Sequence, residues 1–312
     1  MGLVSTLRGI LVGWALCGAG LVSATEVLVL SSERSPSYND ASQAAVAELV
    51  RLGVRRADIA QLAVPELTPA DLGAAQGAKV WITLGSEALA RALAREGRPA
   101  VVSALIPRLG FERLLRDNAG KASAPAVAVY LDQPFGRQLD LMHLALPDVK
   151  RVGVLWGQES LLQQANLQAA AQSRGIELVA GTVASSGTLF AGLKTVLDGA
   201  DVLLAVADPQ IYSGSTIANI LLATYRARVP VVAFSPAYVK AGALLAVYST
   251  PRQIGVQAGA LARTLLQGGA VPASQYPVEF SVAVNEHVAR SLGMALDEAT
   301  LNERMHRMEK RP

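Results

Sequence analysis

The feature that most constrains this chain is an alternation of element types that runs through it twice. Continuous apolar runs such as "EVLVLSS" (26–32), "AKVWITLG" (78–85) and "AVAVYLD" (126–132) are each followed by an amphipathic stretch. Examples of the latter are "YNDASQAAVAELVRLG" (38–53), closed by Gly53, and "SEALARALAREG". A strand apolar on both faces must be covered on both faces. Parallel neighbours also need a helix to carry the chain back between them. The pattern therefore predicts doubly wound α/β architecture with parallel sheets, in which "DIAQLAV" (58–64) and "PAVVSAL" (99–105) are further strands and a short helix lies near 111–118.

The alternation then restarts. "FGRQLDLMHLAL" (135–146) is a helix stopped by Pro147, and "RVGVLWG" (151–157) a strand. The helix "SLLQQANLQAAAQSRG" (160–175), "IELVAGTV", the helix "TLFAGLKTVLDG", "ADVLLAVAD" (200–208), a helix near 215–228 and "VPVVAFS" (229–235) follow. Two doubly wound units of about 110 residues each account for this. No Gly/Ser linker separates them, so structured chain must make the joins. The late stretch "GALLAVYSTPRQIGVQAGALARTLLQGG" (242–269) runs a strand into a helix with Thr250 as N-cap and Pro251 at the first helical position. A finished α/β unit has little need of it or of the strand "YPVEFSVAVN" (276–285) and helix "EHVARSLG" after it. A chain crossing between two lobes does. The expected organisation is residues 25–132 plus 250–275 as lobe one and 133–249 plus 276–312 as lobe two, with crossovers near 130–134, 247–251 and 276–280.

Residues 1–24 read as a secretory signal. Arg8 supplies the positive region, "ILVGWALCGAGLVSA" an apolar run of 15 residues, and Val22-Ser23-Ala24 a small-residue cleavage site near Ala24. The run is shorter than the roughly 20 residues a bilayer-spanning helix needs. Leu16 before Cys17 disfavours lipid attachment, which wants a small residue there. Cleavage would remove the one cysteine, excluding disulfides, thiol catalysis and cysteine metal sites. The expectation is an exported, periplasmic product with no stable membrane insertion. Net charge is +3, and the basic residues are scattered except for Arg304, Arg307, Lys310 and Arg311 on a terminal helix. That cluster reads as a solvated end, so nucleic acid is not an expected partner.

The segments "VPVVAFSPAYVKAGALLAVYS", "IGVQAGALARTLLQGG" and "YPVEFSVAVNEHVARSLGM" resemble the C-terminal half of the ABC-transporter substrate-binding proteins whose better-studied members bind aromatic amino acids. The matching residues are Gly242, Ala243, Leu244, Gly255, Gly259, Pro277, Val278, Asn285, Ala289, Leu292 and Gly293. "LPDVKRVGVLWG" fits the opening of that family's second lobe and "GSEALARAL" a helix start in its first. The resemblance covers most of residues 78–295 and implies a type I periplasmic-binding-protein fold with a three-segment hinge. The chain departs from the family pattern at "SSERSPSYND", at Tyr248-Ser249-Thr250-Pro251 and at "VYLDQP", all cleft or hinge positions.

Ligands of open α/β sheets bind beyond the carboxyl ends of the strands. The candidate contacts are therefore Ser31 and Ser32, then Gly85 and Ser86, whose helix-start amides suit a carboxylate. In the second unit they are Trp156 and Gln158, Asp208, Ser235, Tyr238 and Tyr248. Ser86 reads equally as an N-cap, Trp156 equally as core, and Asp208-Pro209 equally as a turn; in the family pattern an Asp occupies the place of Asp208. Trp81, mid-strand, reads as core. His143, His287 and His306 show no metal-ligand spacing, and no nucleophile elbow, P-loop or dinucleotide fingerprint occurs. No cofactor is expected. Three functions remain open: a solute-binding protein that delivers a small amphipathic molecule to an inner-membrane ABC permease, a sensing subunit for a membrane kinase or receptor, and, least supported, an α/β enzyme.

Overall fold

The computed structural model describes residues 25–68, 77–121 and 124–309. The expected signal segment, Lys310 and Arg311 lie outside the described residues.

The first part of the chain runs β1 (Val27–Ser31), α1 (Pro36–Arg51), β2 (Ile59–Ala63), β3 (Val80–Leu84), α2 (Ser86–Leu93), β4 (Ala100–Ile106), α3 (Arg108–Asp117) and β5 (Ala126–Tyr130). These five strands form one parallel sheet, order β2-β1-β3-β4-β5. Its central strands are buried throughout, as their unbroken apolar sequences require. Val27 and Val29 face one core with Ala41, Ala45 and Leu49 of α1. Leu28 and Leu30 face the other with Trp81, Leu89 and Phe111.

The second part runs α4 (Phe135–Ala145), β6 (Arg151–Trp156), α5 (Gln164–Gln172), β7 (Glu177–Thr182), α6 (Leu189–Gly199), β8 (Val202–Leu204), α7 (Ile217–Arg226), β9 (Val231–Ala233), α8 (Pro236–Ala241) and β10 (Leu245–Tyr248). After α9 (Pro251–Leu266) come β11 (Ser281–Val284), α10 (Glu286–Ser291) and α11 (Glu298–Glu309). The second sheet has the order β11-β10-β9-β8-β6-β7. It is parallel except that β11 runs antiparallel to β10. This departs from the all-parallel expectation for a physical reason. The chain entering at β6 first travels back along α4, whereas the chain entering at β11 arrives directly from the carboxyl ends of the strands and can only run the other way.

Helix α9 packs on the first sheet. Ile254, Ala258, Leu261 and Ala262 join the core of Val27 and Ile82. A Cβ at Gly255 would collide with the carbonyl of Ala41, and one at Gly259 would lie 2.7 Å from that of Ala45. The spaced small residues thus let α9 and α1 approach closely. Thr250 and Gln253 form a capping box, with Thr250 N–H donating to Gln253 Oε1 at 2.8 Å. The chain then lies beside β5, where Gln275 N–H donates to Ala128 O and Tyr130 N–H to Gln275 O, before passing to β11. The first sheet with α1–α3 and α9 is lobe one, the second with its helices lobe two.

One buried network ties the three crossovers. Gln133 Nε2 donates to Ser249 Oγ (2.9 Å), and Ser249 Oγ donates to Glu279 O (2.6 Å). Arg137 donates to Gln133 Oε1 (2.7 Å) and Pro277 O (2.8 Å), and it pairs with Glu309 of α11 through both carboxylate oxygens. No helix among the described residues is long and apolar enough to cross a membrane.

Candidate functional site

A cavity of about 600 Å³ lies between the lobes at the carboxyl ends of both sheets, where the crossovers pass. Of the residues expected there, Ser86, Asp208, Ser235, Tyr238 and Tyr248 line it. Ser31, Ser32, Gly85, Trp156 and Gln158 do not.

Each absence has a cause. Trp156 is 2% exposed and packs with Leu139, Met142, Val154 and Leu167, so it does not stack on a ligand. It shares the parity of Val152 and Val154 along β6, which turns all three side chains to one core. Ser31 is buried at the end of β1. Ser32 Oγ donates to Leu84 O (2.8 Å) and accepts from Ala88 N–H (3.0 Å), so it holds the first turn of α2 and occupies one of the amides expected for an anion. Gly85 has φ +85°, and a Cβ there would lie 2.5 Å from Tyr38 Oη and 2.6 Å from Ser32 Oγ. Its role is the tight turn into α2. Gln158 is exposed and off the cavity wall.

Asp208 reaches the cavity but is only 2% exposed. Its Oδ2 accepts from Ser160 N–H (3.0 Å) and its Oδ1 from Gln210 N–H (2.9 Å). Ser160 Oγ in turn accepts from Gly157 N–H (2.9 Å). The carboxylate sits so close to Gly157 that any Cβ there would collide with it. Asp208 therefore fastens the loop after β6 to the loop after β8.

The structure adds wall residues that the sequence did not single out. Asp132, just beyond β5, accepts from Arg108 N–H at 2.5 Å and so holds the start of α3. Burial pushes its carboxyl above the ordinary carboxylate range, against the pull of that amide. The strand-end rule that gave Asp208 applies equally to Asp132, which was placed in the crossover instead. Tyr212, Phe234 and Tyr238 form an edge-to-face aromatic wall on lobe two, with Phe234 and Tyr238 centroids 4.9 Å apart. Tyr276, packed edge-on against Tyr130 at 5.3 Å, faces the cavity from the third crossover, and Phe135 from the first. Burial raises the phenol pKa of Tyr212, Tyr238 and Tyr248, so these rings present neutral hydroxyls. At the rim Arg113 of lobe one meets Glu159 of lobe two at 2.7 Å. Among the described residues, no group of three or more His, Cys, Asp or Glu is placed to hold a metal ion.

Comparison with known proteins places this architecture. A family model described as "ABC transporter substrate binding protein" matches residues 83–307. A tyrosine-binding protein of Clostridioides difficile (strain R20291) is 24% identical over 191 residues, covering 59% of this chain and 53% of that protein. The chain thus matches about half the length of that relative. Among solved structures, the ligand-free, open structure of a substrate binding protein with adhesive properties from Clostridium difficile has a TM-score of 0.68 at 17% identity, covering 87% of this chain and 95% of that one. An ABC domain in complex with L-Trp from Streptococcus pneumonia has a TM-score of 0.61 at 20% identity, covering 90% and 98%. These likenesses show the type I periplasmic-binding-protein fold, and the family is a transport-binding family rather than an enzyme family. With the model match spanning both lobes and the hinge, the chain belongs to the ABC transporter substrate binding protein family.

Proposed function

We propose that the protein is exported, captures a small amphipathic solute with an aromatic body between its two lobes, and hands it to a membrane ABC permease. The observation that carries the ligand class is the aromatic wall of Tyr212, Phe234 and Tyr238, in a cavity that Phe135 and Tyr276 also line. Such walls enclose planar apolar bodies through edge-to-face contacts. A cavity of about 600 Å³ suits an amino acid with a one- or two-ring side chain better than an oligosaccharide. The relative that binds tyrosine and the neighbour that holds L-Trp support the same class.

In this reading the carboxylate of the solute lies toward Ser37 and Ser86, at the starts of α1 and α2, where helix dipoles favour negative charge. Its ammonium lies toward Asp132 or Asp208, two of the three acids that line the cavity, the third, Glu159, being paired with Arg113. Asp132 is the less engaged of the two and takes the larger share. Thermal-shift screening of the mature protein with the amino acids and common sugars tests the class. A ligand at 100 times its dissociation constant adds about 2.7 kcal/mol of stability. L-tyrosine or L-tryptophan is expected to raise the melting temperature; a response to sugars alone would overturn the reading.

A further inference from the structure

The cleft also contains a contact that needs no ligand. Arg113 lies on α3 of lobe one, and Glu159 follows β6 of lobe two. Arg113 Nη1 donates to Glu159 Oε1 at 2.7 Å, both residues border the cavity, and their side chains are 55% and 46% exposed. Every other ion pair among the described residues joins groups of a single lobe.

Both partners stand on backbone that is held from below. Asp132 fixes the first turn of α3 through Arg108 N–H. Asp208 fixes the residue after Glu159 through Ser160 N–H, and Ser160 Oγ fixes Gly157. An exposed ion pair usually gains little, because ordering two long side chains offsets the attraction. Here the backbone beneath both side chains is already fixed, and the pair spans the two lobes, so it can form only when they stand this close.

We propose that Arg113 and Glu159 form a clasp across the mouth of the cleft that biases the lobes toward closure and slows solute escape. The proposal rests on the solute-binding reading but not on the identity of the solute. Lobe closure is a two-state balance, so even the energy of an exposed pair changes the closed-to-open ratio by about two- to fivefold. The effect should fade in high salt, where exposed charges are screened.

The test uses the mature protein labelled at Asp117→Cys and Gln172→Cys, exposed positions on the two lobes, with single-molecule energy transfer reporting their separation. Without added solute, Arg113→Glu or Glu159→Arg alone should lower the closed-to-open ratio about two- to fivefold at low salt. The double reversal R113E/E159R should restore it, and all the variants should converge in about 1 M salt. Glu159→Gln serves as the milder single variant if a reversal impairs folding. Singles with unchanged lobe separation, or a double reversal as open as the singles, would overturn the clasp. Dissociation of L-tyrosine should quicken in the singles and recover in the double. If neither L-tyrosine nor L-tryptophan binds, the ligand class fails while the lobe separations still decide the clasp.

Discussion

At the scale of single residues, Asp208 and Asp132 on the cleft wall do different work. Asp208 satisfies two backbone amides at 2% exposure, so Asp208→Ala leaves Ser160 N–H and Gln210 N–H without their acceptor. The expected cost is about 1–3 kcal/mol of folding stability, the worth of one buried unpaired donor, here Ser160 N–H, and a urea melt measures it. A melt unchanged within 0.5 kcal/mol, roughly the spread of neutral surface changes, would show that the two loops do not depend on it. Asp132 instead carries a carboxyl raised by burial. Its unfolded form titrates near the ordinary value of about 3.9 and its folded form higher. It therefore costs nothing below the lower value, costs progressively more as pH rises through the raised one, and costs a constant amount above that. Asp132→Asn should remove this fall, so the stability of the parent relative to the variant should drop across that acidic window; parallel pH profiles would contradict the shift. Sequence placed Asp208, Ser86, Ser235, Tyr238 and Tyr248 on the wall because the strand-end rule is topological. It left Trp156 open between core and cleft because the rule says where a strand ends, while side-chain parity decides which way its last residue points.

Among the elements, α9 shows most clearly how sequence dictates placement. Thr250, Pro251 and Gln253 write its start, and Gly255 and Gly259 write the face that meets α1. Gly255→Ala should gain up to about 1 kcal/mol of helix propensity but collide with the backbone of Ala41. Overpacking against a rigid carbonyl costs about 1–3 kcal/mol, so the net change should be destabilising, readable as a lower denaturation midpoint. A stabilised variant would mean that α9 can lift away from α1. The strands β1, β3 and β6 were legible as continuous apolar runs. The end of β8 was not: "ADVLLAVAD" promises nine strand residues, but pairing stops at Leu204 as the chain turns toward Asp208. The direction of β11 was not legible either, because four residues carry no sign of which end of the sheet they enter from.

At the scale of the whole molecule, three crossovers converge on Gln133, Arg137 and Ser249, all buried. The double alternation in the sequence announced two lobes, but not that Arg137 would join Pro277 O, Gln133 and Glu309 at the hinge, since those partners lie far apart in the chain. Arg137→Ala leaves Gln133 Oε1 and Pro277 O without their donor, should cost about 1–3 kcal/mol, and should broaden the distribution of lobe separations. A normal melt with an unchanged distribution would remove Arg137 from the hinge. The central claim, a cleft that closes on an aromatic-bodied amino-acid-like solute, is tested most directly by calorimetric titration of the mature protein with L-tyrosine and L-tryptophan at two temperatures. Saturable one-site binding of at least one of them is expected, with a negative heat-capacity change from ring burial; no binding of either, alongside saturable binding of a sugar, would contradict a cleft built for such a solute.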